Sequence, residues 1–148
     1  MKIIKAEQAH ITPVANLFDA YRVWYKKPSD LAGAIEFLTQ RIESGESTVY
    51  ACETDDGELV GFTQLYPLFS STRMKRLWLL NDLFVKKEFR GKGISKLLID
   101  AAKQLARTTD ACGLLLETQK NNEIGNKLYP HVGFEIEDDT NFYFWTTD

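Results

Sequence analysis

The chain is poor in the residues that build metal centres and disulfide frameworks. It has two histidines and two cysteines in 148 residues. His10 and His131 stand far apart and no acidic cluster has ligand spacing, so no metal site is expected. Cys52 and Cys112 form no CxxC pair and sit in apolar runs. They read as buried free thiols, suited to a reducing cytoplasm. Excess positive charge is also missing: 18 Lys and Arg against 21 Asp and Glu leave a net charge of -3, which argues against a nucleic-acid or anionic-membrane partner. In the opening run Met1 to Glu7, charges interrupt any apolar stretch, so it reads as neither a secretory leader nor a membrane span. No Pro, Gly or Ser-rich linker divides the sequence and no internal repeat is visible, so residues 1–148 are expected to form a single domain.

The composition that remains is that of a globular protein, with 44% hydrophobic and 26% charged residues. A chain this long can bury roughly 68–70% of its unfolded surface. Lys2 to Ala6 reads as a first strand. Thr12 and Pro13 supply an N-cap and a preset first helical residue. Val14, Leu17, Phe18 and Tyr21 then follow at helical spacing, which predicts a helix over Pro13 to Tyr25. Ser29 is placed to cap a second helix, whose face is Leu31, Ile35, Leu38 and Ile42 and whose stop is Gly45. The period then changes: Thr48 to Glu53 and Leu59 to Tyr66 flank Asp55-Asp56-Gly57 as a hairpin. Pro67 to Lys75 reads as a polar connection, and Arg76 to Val85 as a long apolar strand covered on both faces. A helix follows with Ile94, Leu97, Leu98, Ala101, Ala102 and Leu105 on one face. Cys112 to Thr118 reads as a buried strand, Asn122 to Tyr129 as a helix ended by Pro130, and Gly133-Phe134 and Asn141 to Thr146 as further strands. The order predicts an α/β (α+β) domain built on one mixed sheet, with a right-handed crossover after residue 85.

The chemistry is concentrated between Val85 and Lys96. There a strand end meets a basic turn, Arg90-Gly91-Lys92-Gly93, and then the first turn of an amphipathic helix. The first N–H groups of a helix have no intrahelical partner, and the helix dipole adds roughly half a positive charge. Two glycines let an oxyanion approach the backbone, and Arg90, Lys92 and Lys96 add cations. A pyrophosphate suits these features. The Walker pattern fails on the spacing of Gly91 and Gly93, and the dinucleotide fingerprint fails because Lys96 occupies the third glycine position. Read without further context, the same turn could equally be a solvated bend.

Arg90-Gly91-Lys92-Gly93-Ile94-Ser95 resembles the signature of the GNAT superfamily of acetyl-CoA-dependent N-acetyltransferases, which is Arg or Gln, two residues of any kind, Gly, any residue, then Gly or Ala. Ser95 departs from the last position, but it is small and carries a hydroxyl. A second motif follows in the expected order: Asn122, Leu128-Tyr129 and Gly133-Phe134 resemble the family's Asn, Leu-Tyr and Gly-Phe run. The run Leu80 to Val85 is most similar to that of small-amine, polyamine and amino-acid acetyltransferases.

The resemblance implies a GNAT-like mixed sheet of about six to seven strands and about four helices. In it the parallel strands 76–85 and 112–118 splay apart. It implies acetyl-CoA as acyl donor, with pyrophosphate on Arg90, Gly91, Lys92, Gly93, Ile94, Ser95 and Lys96. The pantetheine arm would run beside Leu83, Phe84 and Val85, and Asn122 would contact it. Leu83 or Phe84 is the candidate N–H donor to the oxyanion, and Tyr129 the acid for the departing sulfur; the helix-end alternatives are a core aromatic for Tyr129 and a simple N-cap for Asn122. Asp82 and Glu117 are the candidate bases, Asp82 ahead because it interrupts an apolar strand where a bare carboxylate is costly. Tyr21, Trp24, Tyr25 and Trp78 are candidate walls for the acceptor amine, or simply packing. A homodimer, with Phe142-Tyr143-Phe144-Trp145 at its interface, stays open. So does a second function, an acyl-CoA-binding sensor that has lost turnover.

Overall fold

The computed structural model describes residues 1–147. They divide into two compact units, one over residues 1–116 and one from Glu117 onward. The first carries a five-stranded sheet in the order β1-β2-β3-β4-β5, with β1 Lys2–Lys5, β2 Thr48–Glu53, β3 Leu59–Ser70, β4 Lys75–Val85 and β5 Leu114–Leu115. The first four strands are antiparallel neighbours, and β5 joins β4 in parallel. Helices α1 (Ile11–Trp24), α2 (Leu31–Glu43) and α3 (Ile94–Thr108) complete this unit. The second unit contains α4 (Glu123–His131). No helix among the described residues is long and apolar enough to cross a membrane.

Alternation along the strands, interrupted at Val60 by the register shift between Cys52 and Glu53, divides the buried strand residues between two apolar layers. Val49, Ala51 and Phe62 join Val14, Leu17, Ala34 and Leu38 under α1 and α2. Tyr50, Cys52, Val60 and Val85 join Ile94 and Leu98 under α3. Full burial of a Leu or Phe such as Leu17, Leu38, Leu98 or Phe62 contributes about 1.5–3 kcal/mol each. Both cysteines are free, Cys52 buried and Cys112 half-buried.

The elements differ from the sequence reading where local chemistry outweighed pattern. A 3-10 turn over Gln8–His10 runs straight into α1, so Thr12 lies inside the helix rather than capping it. Helix α2 is capped by Asp30, whose carboxylate accepts from Gly33 N–H at 2.9 Å. Ser29 instead donates to Asp19 at 2.6 Å, and the same carboxylate accepts Asp30 N–H at 2.7 Å, tying the connection to α1. β3 runs on to Ser70, so most of the expected polar connection is a paired hairpin closed by a turn over 71–74. β5 is only two residues long, and residues 133–134 and 141–146 form no strand. That leaves five strands where six to seven were expected. The aromatic run is exposed, Phe142 to Trp145 at 66–92%. Helix α4 runs on through Pro130 to His131, one residue beyond the proline, which has no N–H to donate to the turn before it.

Two features of β4 matter for function. Its register with β3 slips by one residue: Gln64 faces Asp82, but Leu65 faces Leu80. Asn81 is therefore a bulge residue, and bulges re-aim the side chains beside them. On its other edge, β4 pairs with β5 only at Trp78↔Leu114 and Leu79↔Leu115, so residues 80–85 have no strand beside them in this unit.

Gly61 fixes the contact between sheet and α3. A Cβ there would sit 2.9 Å from the Phe84 carbonyl oxygen, 3.2 Å from Val85 Cγ2 and 3.3 Å from Ile94 Cγ2. Backbone and helix-start atoms yield poorly, and overpacking of this kind costs about 1–3 kcal/mol. Gly61→Ala is expected to lower the urea midpoint by that amount of stability without changing the slope of the transition.

Candidate active site

The turn between β4 and α3 is built to leave backbone donors uncovered. Gly91 and Gly93 hold φ of +76° and +80°, the left-handed region that glycine occupies without penalty. A Cβ at either position would meet nothing within 4 Å, so conformation, not crowding, requires glycine there. Gly93 is the N-cap of α3 and no side chain caps this helix. Among the described residues no protein group accepts from the N–H of Gly91, Lys92, Gly93, Ile94 or Ser95; the first pairings are Lys96 N–H and Leu97 N–H to Gly93 O, at 3.0 and 3.2 Å. Ile94 is buried and anchors the turn to the core, while residues 91 to 93 are exposed. Five unsatisfied amides at the positive end of a 15-residue helix make an anion seat.

The basic side chains around this seat differ in what they do. Arg90 folds back: its Nε–H donates to Val85 O at 2.9 Å and its guanidinium lies 5.8 Å from the centre of the Phe84 ring. Lys92 lies over Phe89 at 4.8 Å. Lys86 is committed to Glu58 at 2.5 Å. Lys96 lies in the exposed first turn of α3.

The open edge of β4 has a definite polarity. Lys86 N–H donates to Val60 O at 2.9 Å, which makes Val60 and Lys86 a narrow antiparallel pair. With the register Phe62↔Phe84, the backbone of Phe84 also turns toward β3. Leu83 and Val85 therefore turn their backbone groups to the uncovered edge, where Arg90 takes the Val85 carbonyl. Leu83 N–H and Val85 N–H thus face this edge, whereas Phe84 N–H does not. The Phe84 ring packs against Tyr21 and Phe62, at 6.2 and 6.5 Å.

The bulge aims Asp82 inward, toward α1. It is 4% exposed and receives Gln64 Nε2 at 2.8 Å on Oδ2 and Asn81 Nδ2 at 3.2 Å on Oδ1, with Tyr21 of α1 nearby. Burial pushes its pKa up, and Gln64, then Asn81, then Tyr21 pull against that rise. The Tyr21 hydroxyl is driven far above its usual range, mainly by burial and then by the Asp82 charge, and Tyr66 is raised by the same two causes. Tyr21 also meets Tyr25 edge-on at 4.9 Å, and Trp24 meets Tyr25 at 4.8 Å. Three of the four aromatic residues expected near an acceptor thus form a chain that starts beside the buried carboxyl at Tyr21 and ends at the half-exposed Trp24. Trp78 does not join them: its indole donates to the Thr109 hydroxyl at 2.9 Å, at the end of α3. Glu117 is exposed in irregular chain after β5.

The second unit holds the other motif. Asn122 caps α4, accepting from Gly125 N–H at 3.1 Å and donating to the Thr118 hydroxyl at 2.8 Å. Gly125, where the family often has alanine, is explained by that cap, since a Cβ would lie 2.5 Å from Asn122 Nδ2. Tyr129 is half-buried in α4, its ring 5.8 Å from that of Phe134.

The Acetyltransferase (GNAT) family model matches residues 14–134, spanning both the turn and the Asn122–Phe134 motif. The chain belongs to the GNAT family of acetyltransferases. It is similar to the uncharacterized N-acetyltransferase YhfO of Bacillus subtilis (strain 168), 44% identical over 142 residues, 96% of this chain and 93% of that one. It resembles a crystal structure of a probable acetyltransferase with a TM-score of 0.94 and 36% identity, covering 100% of this chain and 99% of the other. A probable spermine N(1)-acetyltransferase of Bacillus subtilis subsp. natto is 32% identical over 92 residues, 59% of each chain. This GNAT protein is an N-acetyltransferase whose acyl donor is acetyl-CoA. The five open amides fit the pyrophosphate of that donor in number and charge.

The sequence reading missed Gln64, Asn81 and Gly61. Gln64 left a signal: it shares a strand face with Phe62 and Tyr66, so a polar side chain was due to point into the core.

The Asp82 carboxyl makes stability depend on pH. Its pKa is higher in the fold than in the unfolded chain, so between those two values the native state holds more protons. Its contribution is present below the ordinary aspartate value and is lost as pH rises through the elevated one. Asp82→Asn removes this dependence. The Tm of the variant relative to the native protein is expected to climb as pH rises through that window and to level off above it, with thermal melts from pH 3 to 8 as the measurement. A constant difference would contradict the burial of a charged Asp82.

Proposed function

We propose that this GNAT enzyme acetylates a primary amine of a small polyamine or amino acid, or of a peptide, by direct attack on the acetyl-CoA thioester. The observation that carries the reading is the run of five unpartnered amides, 91 to 95, placed directly after the uncovered edge of β4. An extended pantetheine arm can add to that edge as a strand does, using the backbone groups of Leu83 and the N–H of Val85. Leu83 N–H would then stabilise the oxyanion, a donor whose loss typically costs about 3–4 kcal/mol. Ser95, in the first helical turn, can add its hydroxyl to the phosphate contacts.

Asp82 is the base. An amine of pKa near 10 arrives mostly protonated, and a buried carboxylate with a raised pKa is a better proton acceptor than an ordinary one. Tyr21, Trp24 and Tyr25 beside it offer cation–π faces to an ammonium. Support for a polyamine comes from the relative named for spermine and from the chain's net charge of -3. Tyr129, matching the family tyrosine, donates the proton to the departing sulfur, and Asn122 keeps the start of α4 in place for it.

A thiol-release assay with acetyl-CoA and a panel of linear polyamines, amino acids, aminoglycosides and peptides is the test. Turnover is expected on at least one amine. Tight CoA binding without turnover on any of them would replace the proposal with an acyl-CoA sensor. On the best amine, Tyr129→Phe is expected to lower kcat about 100-fold or more while the KM for acetyl-CoA stays within about twofold; an unaltered kcat removes Tyr129 from the reaction.

A further inference from the structure

Gln64 is fully buried on the face of β3 that packs toward α1. Its Nε2 donates to Asp82 Oδ2 at 2.8 Å. An ionised carboxylate only accepts, so the NH2 end must face Asp82 and the carbonyl end must turn elsewhere. That oxygen, Oε1, is buried and has no hydrogen-bond partner among the described residues. An unpaired buried carbonyl is expensive, and native proteins almost always supply a donor, often an internal water.

The Asp82 carboxylate is in a complementary condition. Gln64 and Asn81 occupy two of its acceptor directions, and a carboxylate offers about four. An acceptor on Gln64 and room on Asp82 thus remain on side chains already bonded to each other. A single water satisfies both with its two O–H groups and still has a lone pair to receive a proton. The titratable or charged groups that face this cluster are Tyr21 from α1, Tyr66 from β3 and, beyond Tyr66, Arg41 from α2, itself paired with Glu46. Neither tyrosine ionises in the working range, so Asp82 is the only group there that can keep the proton.

Resting on the reading of Asp82 as base, we infer that Gln64 is a positioning residue that seats the water through which Asp82 deprotonates the acceptor amine. The step balances. An ammonium proton moves to the water oxygen while one water proton moves to Asp82. The water is regenerated with its other O–H still on Gln64 Oε1. The amine's electron pair is freed to form the C–N bond, and Asp82 ends neutral until solvent takes its proton.

A crystal structure of the native protein, at a resolution that shows ordered water, tests the seat directly. The expected result is one water within hydrogen-bond distance of both Gln64 Oε1 and an Asp82 carboxylate oxygen. A protein donor on Oε1, or no water there, overturns the proposal. Kinetics test the role, with spermine or the best amine of the panel. In H2O–D2O mixtures the native kcat/KM should fall along a curve, because two protons move together. Gln64→Met, similar in shape but lacking both amide groups, should straighten that curve and lower kcat/KM for the amine about 10- to 100-fold, with CoA affinity unchanged in a thermal-shift titration. An unaltered curve in a variant that still binds CoA overturns the role. Asp82→Asn separates the two readings. If it leaves the ascending limb of the pH–rate profile in place, the base assignment fails; if it removes the limb while Gln64→Met behaves as native, only the water seat fails.

Discussion

β4 has to satisfy two incompatible demands, and the rest of the molecule is arranged around that conflict. It pairs with β3, the central strand, along its whole length. It must also leave its other edge bare from Leu80 onward. Bare strand edges inside a domain are rare, since each exposes backbone groups that need partners. Here β5 contributes only Leu114 and Leu115 before the chain departs, and α3 begins with amides that no group among the described residues claims. The edge and the helix start lie in sequence, so one extended, anionic ligand can meet both needs.

The bulge at Asn81 is the second consequence of that strand. Without the extra residue, strict alternation would give the side chain at 82 a different neighbour on β3. With it, Gln64 lies opposite Asp82 and the carboxyl enters the aromatic layer of Tyr21, Phe62 and Phe84. Placing a carboxyl there costs solvation, which the hydrogen bonds from Gln64 and Asn81 partly offset. What the site gains is a proton acceptor stronger than a solvated aspartate. The expense falls on stability and the gain on chemistry, as is common where pKa values are perturbed.

Much of this was legible in the sequence because the decisive parts are local. The turn is readable since Gly91 and Gly93 must adopt left-handed φ and the helix follows at once. Asp82 was conspicuous as a charge within an apolar strand, and Tyr21 and Tyr25 lay on the predicted helix. What was not legible depended on pairing. The bulge needs the register of β3 against β4, and Gln64 gains its meaning only from the residue across from it. The fold of Arg90 back onto Val85, the capping of α2 by Asp30 rather than Ser29, and the withdrawal of Trp78 to Thr109 all depend on three-dimensional neighbours. The strands expected after residue 131 failed for a different reason: aromatic content signals a capacity for strand, but only a partner edge makes one.

Arg90 has a consequence outside catalysis. An uncovered strand edge is the surface on which unrelated chains dock and polymerise, and proteins usually blunt it with charge or with a covering group. The guanidinium on the Val85 carbonyl closes the far end of this edge and sets a cation beside it. The signature arginine thereby caps one end of the strand edge in the same conformation that leaves the amides of residues 91 to 95 open.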